Sequence, residues 1–119
     1  MADAETTMAT LRDRVAAFVR ARDWEQYHNP KDLALALLVE AAELAEVFLW
    51  TSPEDLQEAD SRLRTRIADE LADVAIYRLA MANRLSLDLS DAVLAKLDRN
   101  ESRYPARRGT PPGRGSRRR

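Results

Sequence analysis

Apolar residues recur at helical intervals along this chain, and no stretch alternates in the way a half-buried strand requires. Met8, Leu11, Val15, Phe18 and Val19 form a first stripe, which predicts a helix over about 7–23. A second helix is expected to begin at Asn29-Pro30, where Asn caps and Pro suits the first turn. It continues through DLALALLVEAAELAEVFLW to Trp50. The third opens at Ser52-Pro53-Glu54-Asp55, a capping-box pattern with Pro at the first position. It extends toward Asn83, with a break or bend expected near 59–61. Leu89, Val93, Leu94 and Leu97 stripe a fourth helix that starts near Asp88 or Ser90, reaches about Arg103 and is stopped by Pro105. The second helix is apolar on most of its circumference from Leu33 to Val39. A helix that is apolar all round must be covered on all sides. The fold class expected is therefore all-α, a four-helix bundle completed by oligomerisation.

Composition sharpens this reading. The 119 residues fit one domain, and so short a chain buries only a limited core. There is no cysteine, which excludes disulfides and thiolate metal sites. No run approaches the roughly 18 apolar residues of a membrane span, and MADAETTMAT lacks the basic and apolar regions of a signal peptide. A soluble, cytoplasmic protein is expected. The net charge of -1 is unevenly spread. All 20 acidic residues precede Pro105, with 13 of the 19 basic ones, so the body carries about -7. ARRGTPPGRGSRRR, residues 106–119, holds six arginines and no acid, and reads as a disordered tail behind a helical domain of residues 1–105. The three glycines, Gly109, Gly113 and Gly115, all fall in this tail. A body without glycine contains neither a P-loop nor a dinucleotide-binding fingerprint. Any phosphate chemistry must therefore use side chains and metal.

Such side chains are present. Glu40, Glu43 and Glu46 follow one another at intervals of three within the apolar second helix, so Glu40 and Glu43 share a face. In IADELADVAIY the third helix repeats the device with Glu70 and Asp73, and Tyr77 lies on the same side. Solvated positions on amphipathic helices account for any one such pair. Here the flanking residues are apolar, and no basic residue lies between Lys31 and Arg62 to neutralise the second-helix acids. Carboxylates among apolar residues repel unless a cation sits between them. An all-oxygen donor set suits Mg²⁺, with Mn²⁺ the alternative. Trp24, Tyr27 and His28 cluster in DWEQYHNP, and Trp50 closes the second helix. Trp and Tyr faces stack on nucleobases, although core packing and interfaces use them too. Lys96, Asn100 and Arg103 share a face of the fourth helix and, with Tyr104, suit a triphosphate as well as they suit solvent.

DWEQYHNP, LALALLVEAAELAEVFLW, IADELADVAIYRLA and DLSDAVLAKLDRNESRYP together resemble the MazG-like all-α nucleoside triphosphate pyrophosphohydrolases, and within them the dCTP pyrophosphatase group. They cover most of residues 23 to 105. The resemblance implies a four-helix bundle assembled as a dimer or tetramer, with Glu40, Glu43, Glu70 and Asp73 as catalytic metal ligands. It implies a base and sugar pocket from Trp24, His28, Trp50 and Tyr77, and a phosphate end from Lys96, Asn100, Arg103 and Tyr104. Many relatives carry a third acid beside the first glutamate, where this chain has Ala41, as in the leaner dCTP-type pattern.

The activity implied is Mg²⁺-dependent hydrolysis of a nucleoside triphosphate, dCTP first, to the monophosphate and pyrophosphate. Water attacks the α-phosphorus, and catalysis rests on positioning and charge stabilisation. One alternative is a house-cleaning activity on modified or other nucleotides at the same site. Another, of a different class, is a helical oligomeric adaptor without catalysis. The arginine tail suggests only weak, salt-dependent nucleic-acid affinity, which the acidic body opposes.

Overall fold

The computed structural model describes residues 1–52, 54 and 61–106. Every regular element among them is helical. A single turn at Ala2–Glu5 precedes α1 (Met8–Ala21); a 3₁₀ turn at Glu25–Tyr27 leads into α2 (Pro30–Glu46); α3 (Ser61–Arg84) and α4 (Leu89–Arg103) follow. The opening expected for the third helix at Ser52–Asp55, and the bend near 59–61, fall largely outside the described residues, as does the arginine tail from residue 107. None of the described helices is long and apolar enough to cross a membrane.

The starts of α1, α2 and α4 lie where the sequence placed them. Thr7 Oγ1 accepts from the Thr10 amide at 3.1 Å, Asn29 Oδ1 from Asp32 at 2.9 Å, and Asp88 Oδ1 from Asp91 at 2.8 Å. Each cap contributes about 1 kcal/mol. The helix ends differ more. α1 stops at Ala21 through a Schellman arrangement, in which the Asp23 amide donates to Arg20 O and the Trp24 amide to Val19 O. Asp23, at φ 57°, occupies the left-handed position that glycine usually takes. Ser86, at φ 54°, does the same after α3, with Leu87 donating to Ala82 O at 2.8 Å. Among the described residues, the glycine-free body thus turns at two non-glycine left-handed residues.

α2 ends at Glu46, four residues short of the expected Trp50. From Val47 onward the amides donate to carbonyls three residues back, as Phe48 to Ala45 at 3.0 Å and Leu49 to Glu46 at 3.2 Å. The last turn tightens in this way to satisfy its orphan carbonyls, which apolar periodicity cannot reveal.

The chain divides into two compact units, Met1–Leu87 and Asp88–Arg119. In the first, α1 and α2 both pack on α3. Val19, Leu33, Val47, Val74, Leu79, Ala80 and Ala82 are its buried residues, and Asn83 Nδ2 ties α3 to α1 by donating to Arg12 O at 3.1 Å. This core is thin. Leu35, Leu38 and Val39 of α2 remain 51–64% exposed, so the apolar circumference of α2 outruns what its own chain covers. In the second unit, α4 carries Lys96, Asn100 and Arg103 along one face, and the Arg103 guanidinium lies 5.6 Å from the Tyr104 ring.

Candidate metal centre and base pocket

The helical spacing of Glu40 and Glu43 turns both carboxylates of α2 toward α3, where they meet Glu70. One oxygen from each of the three lies within 4.8 Å of the others. Glu40 and Glu70 are half-buried and Glu43 is exposed. Glu40 Oε2 and Glu70 Oε2 are buried and have no hydrogen-bond partner. A buried acceptor left unsatisfied is costly, so two of them facing a cluster of like charges mark a place for a cation.

The electrostatics agree. Contact with the Glu40 carboxyl, then its charge, raises the pKa of Glu43 above the ordinary 4.5. Partial burial and the charge of Asp73 push the same way, while a contact from Glu70 opposes them. Desolvation comes first for Glu70, followed by the charges of Glu43 and Asp73, and its pKa is raised as well. Asp73 therefore acts on the cluster through its charge while lying outside the tightest group of three. The donor set is all oxygen and anionic, which fits a hard divalent ion such as Mg²⁺ or Mn²⁺.

A cavity of about 290 Å³ opens between Trp24, Tyr27, His28, Asp32, Ala36 and Tyr77. The Schellman turn after α1 sets Trp24, whose ring meets Phe18 edge-on at 5.7 Å. Arg22 covers the Phe18 ring at 3.7 Å, which braces this wall of the cavity. A second cavity, of about 340 Å³, shares His28 with the first and is walled by Glu25, Asn83 and Arg84 with Ala16, Val19 and Ala80.

Of the aromatic and polar positions singled out in the sequence, the structure brings Trp24, His28 and Tyr77 to one cavity. Trp50 lies in the turns beyond α2, is 92% exposed, and lines neither cavity. Lys96, Asn100, Arg103 and Tyr104 belong to the second unit. The sequence reading left Asp32 and Ala36 out of the pocket. Asp32 read as a residue of the helix start, and Ala36 as one of many alanines. Their one available signal was placement: Ala36 stands one turn before Glu40 on the same face of α2.

Among the described residues the fold is all-helical, with an acid cluster between two helices and an aromatic cavity lined in part from the same helices. The MazG-like family matches residues 35–110. dCTP pyrophosphatase 1 of Homo sapiens is 45% identical over 104 residues, 86% of this chain and 61% of that protein. The Bos taurus protein of the same name is 45% identical over 103 residues, again covering 61% of its length. The present chain thus spans about three-fifths of the curated relatives it matches. Among solved structures, a pyrophosphatase from Archaeoglobus fulgidus DSM 4304 superposes with a TM-score of 0.77 at 37% identity, covering 83% of this chain and 93% of that one. This chain belongs to the MazG-like family.

Proposed function

We propose that this protein is a nucleoside triphosphate pyrophosphohydrolase, dependent on Mg²⁺ or Mn²⁺, that converts dCTP to dCMP and pyrophosphate. One observation carries the reading: the acid cluster and the aromatic cavity share one seam between α2 and α3. Ala36 precedes Glu40 by one turn, and Tyr77 follows Asp73 by one turn and Glu70 by two. At 1.5 Å per residue these steps correspond to roughly 6–10 Å along the helices. A nucleotide laid along the seam has its base among Trp24, His28 and Tyr77 while its phosphates reach the carboxylates. The names of the relatives, dCTP pyrophosphatase and pyrophosphatase, support the same reading.

Glu40, Glu43 and Glu70, with Asp73 beside them, would hold the cation. When bound, it offsets the triphosphate charge and lends Lewis acidity at the scissile phosphorus. The carboxylates orient the attacking water, and Glu43 or Glu40 takes up its proton. Trp24 provides a stacking face for the base. Lys96, Asn100, Arg103 and Tyr104 complete the proposal as a phosphate-binding set. A homo-oligomer belongs to it too, because Leu35, Leu38 and Val39 form an apolar strip that a second copy of the same helix can cover. Trp50 then takes a stacking role in the assembled protein. A cytoplasmic location, where nucleotides are handled, is part of the reading.

Product analysis tests it. Protein incubated with dCTP and Mg²⁺ is expected to release dCMP and pyrophosphate, with turnover abolished by EDTA. Intact dCTP, with no other triphosphate cut under Mg²⁺ or Mn²⁺, would overturn the proposal in favour of a non-catalytic adaptor.

A further inference from the structure

Among the described residues, Asp32 supplies the only carboxylate on the wall of the aromatic cavity. The other side chains there that carry polar groups are Tyr27, Tyr77, His28 and Trp24, whose indole N–H only donates. A phenol, and a neutral imidazole taken as a whole, each offer both a donor and an acceptor. They adapt to either kind of base edge and select neither. An ionised carboxylate accepts and never donates.

The side chain, although exposed, is also held locally. Asn29 Nδ2 donates to Asp32 Oδ2 at 2.7 Å, while the Asp32 amide donates to Asn29 Oδ1 at 2.9 Å. This reciprocal pair pins the side chain in the first turn of α2, where the positive end of the helix dipole favours a negative group. Asn29 engages Oδ2 of this exposed side chain, and an ionised carboxylate keeps further acceptor capacity on its two oxygens. Cytosine and adenine carry an exocyclic amino donor where uracil, thymine, guanine and hypoxanthine carry a carbonyl oxygen. Against a fixed acceptor the amino base gains a charge-assisted hydrogen bond. The keto base instead sets one lone pair against another.

We infer that Asp32 is a specificity-determining residue of the aromatic cavity, selecting nucleotides whose base presents an exocyclic amine over those presenting a carbonyl at the same position. The inference rests on the proposed assignment of this cavity to the base. It adds what stacking cannot provide, since flat aromatic walls accept every base and apolar contact discriminates weakly.

Two matched pairs test it, dCTP against dUTP and dATP against dITP, because the members of each pair differ in amino versus keto and, with it, in whether the adjacent ring nitrogen accepts or donates. With Mg²⁺ present, kcat/KM in the wild type is expected to favour the amino member of each pair by about tenfold or more. Asp32→Ala leaves the backbone cap to Asn29 in place, and should bring both ratios to within about threefold of unity, mainly by raising KM for the amino member. Asp32→Asn keeps the shape and can turn a donor toward a carbonyl, so it should raise kcat/KM for dUTP above the wild-type value. A merely structural role would lower both members together and could not produce that gain. Unchanged ratios in both variants, or a wild type that prefers the keto members, would overturn the role of Asp32 while leaving the hydrolase reading standing. A wild type that cuts none of the four would instead remove the hydrolase reading, and this inference with it.

Discussion

Glu43 faces Glu40 on its own helix and Glu70 across the seam, and the three carboxylates destabilise one another in the metal-free fold. Glu43→Gln should therefore raise the melting temperature in EDTA while abolishing the further rise that Mg²⁺ gives the wild type, both read by scanning calorimetry. A merely solvated glutamate would change neither. The pH dependence follows the same sign. Glu43 and Glu70 have pKa values raised above 4.5 by folding, so the folded state binds protons more readily than the unfolded chain. Their stabilising contribution is present below pH 4.5 and lost as pH rises through the raised values. In EDTA, the difference in melting temperature between Glu43→Gln and wild type should widen over that rise. Glu70→Ala should reduce kcat/KM by at least ~100-fold, since even residues behind the ligands of a metal site are worth roughly 10–100-fold. Trp24→Ala is expected to raise KM by about 5- to 150-fold with kcat nearly constant, as the loss of one stacked base contact implies. A fall confined to kcat would place Trp24 away from the base.

At the scale of the helices, the body solves its turns without glycine. Asp23 and Ser86 both adopt left-handed backbone conformations, and the cost for a non-glycine residue is about 1–2 kcal/mol, less where a short polar side chain hydrogen-bonds locally. Ser86→Gly should accordingly stabilise the protein by about 0.5–1 kcal/mol, visible as a higher urea midpoint at unchanged slope. A lower midpoint would show that the Ser86 side chain contributes more than its backbone costs. Asp23 is the less suitable position for the same change. The turn it makes leads directly into Trp24, and added freedom there would loosen a wall of the cavity.

For the whole molecule, the thin core and the open strip of α2 carry the argument. A chain that leaves Leu38 64% exposed and Leu35 51% exposed has apolar surface out of proportion to what it buries. Leu38→Glu should shift the protein to monomer in light scattering and lower its melting temperature, whereas a monomeric wild type would remove the oligomer from the proposal. Each copy brings its own acid cluster, so loss of turnover in the same variant would place part of the active site at the interface.

The sequence by itself determined the helical class and the starts of α1, α2 and α4, because caps and apolar periodicity are local: Thr7, Asn29 and Asp88 were legible as the residues that satisfy orphan amides. It also singled out Glu40, Glu43, Glu70 and Asp73 as candidate ligands, since acids three residues apart among apolar neighbours lack local partners. Only the tertiary structure decided that Glu40, Glu43 and Glu70 converge while Asp73 stands slightly apart. That outcome depends on the register of α2 against α3, which no local pattern encodes. Tertiary structure likewise separated Trp24, which reaches the cavity through the turn at Asp23, from Trp50, which the tightened end of α2 leaves open. It also gave Asp32 a second face. From its neighbours in the chain this residue is part of a helix start, and only the packing of Trp24, His28 and Tyr77 around it makes it the wall of a pocket.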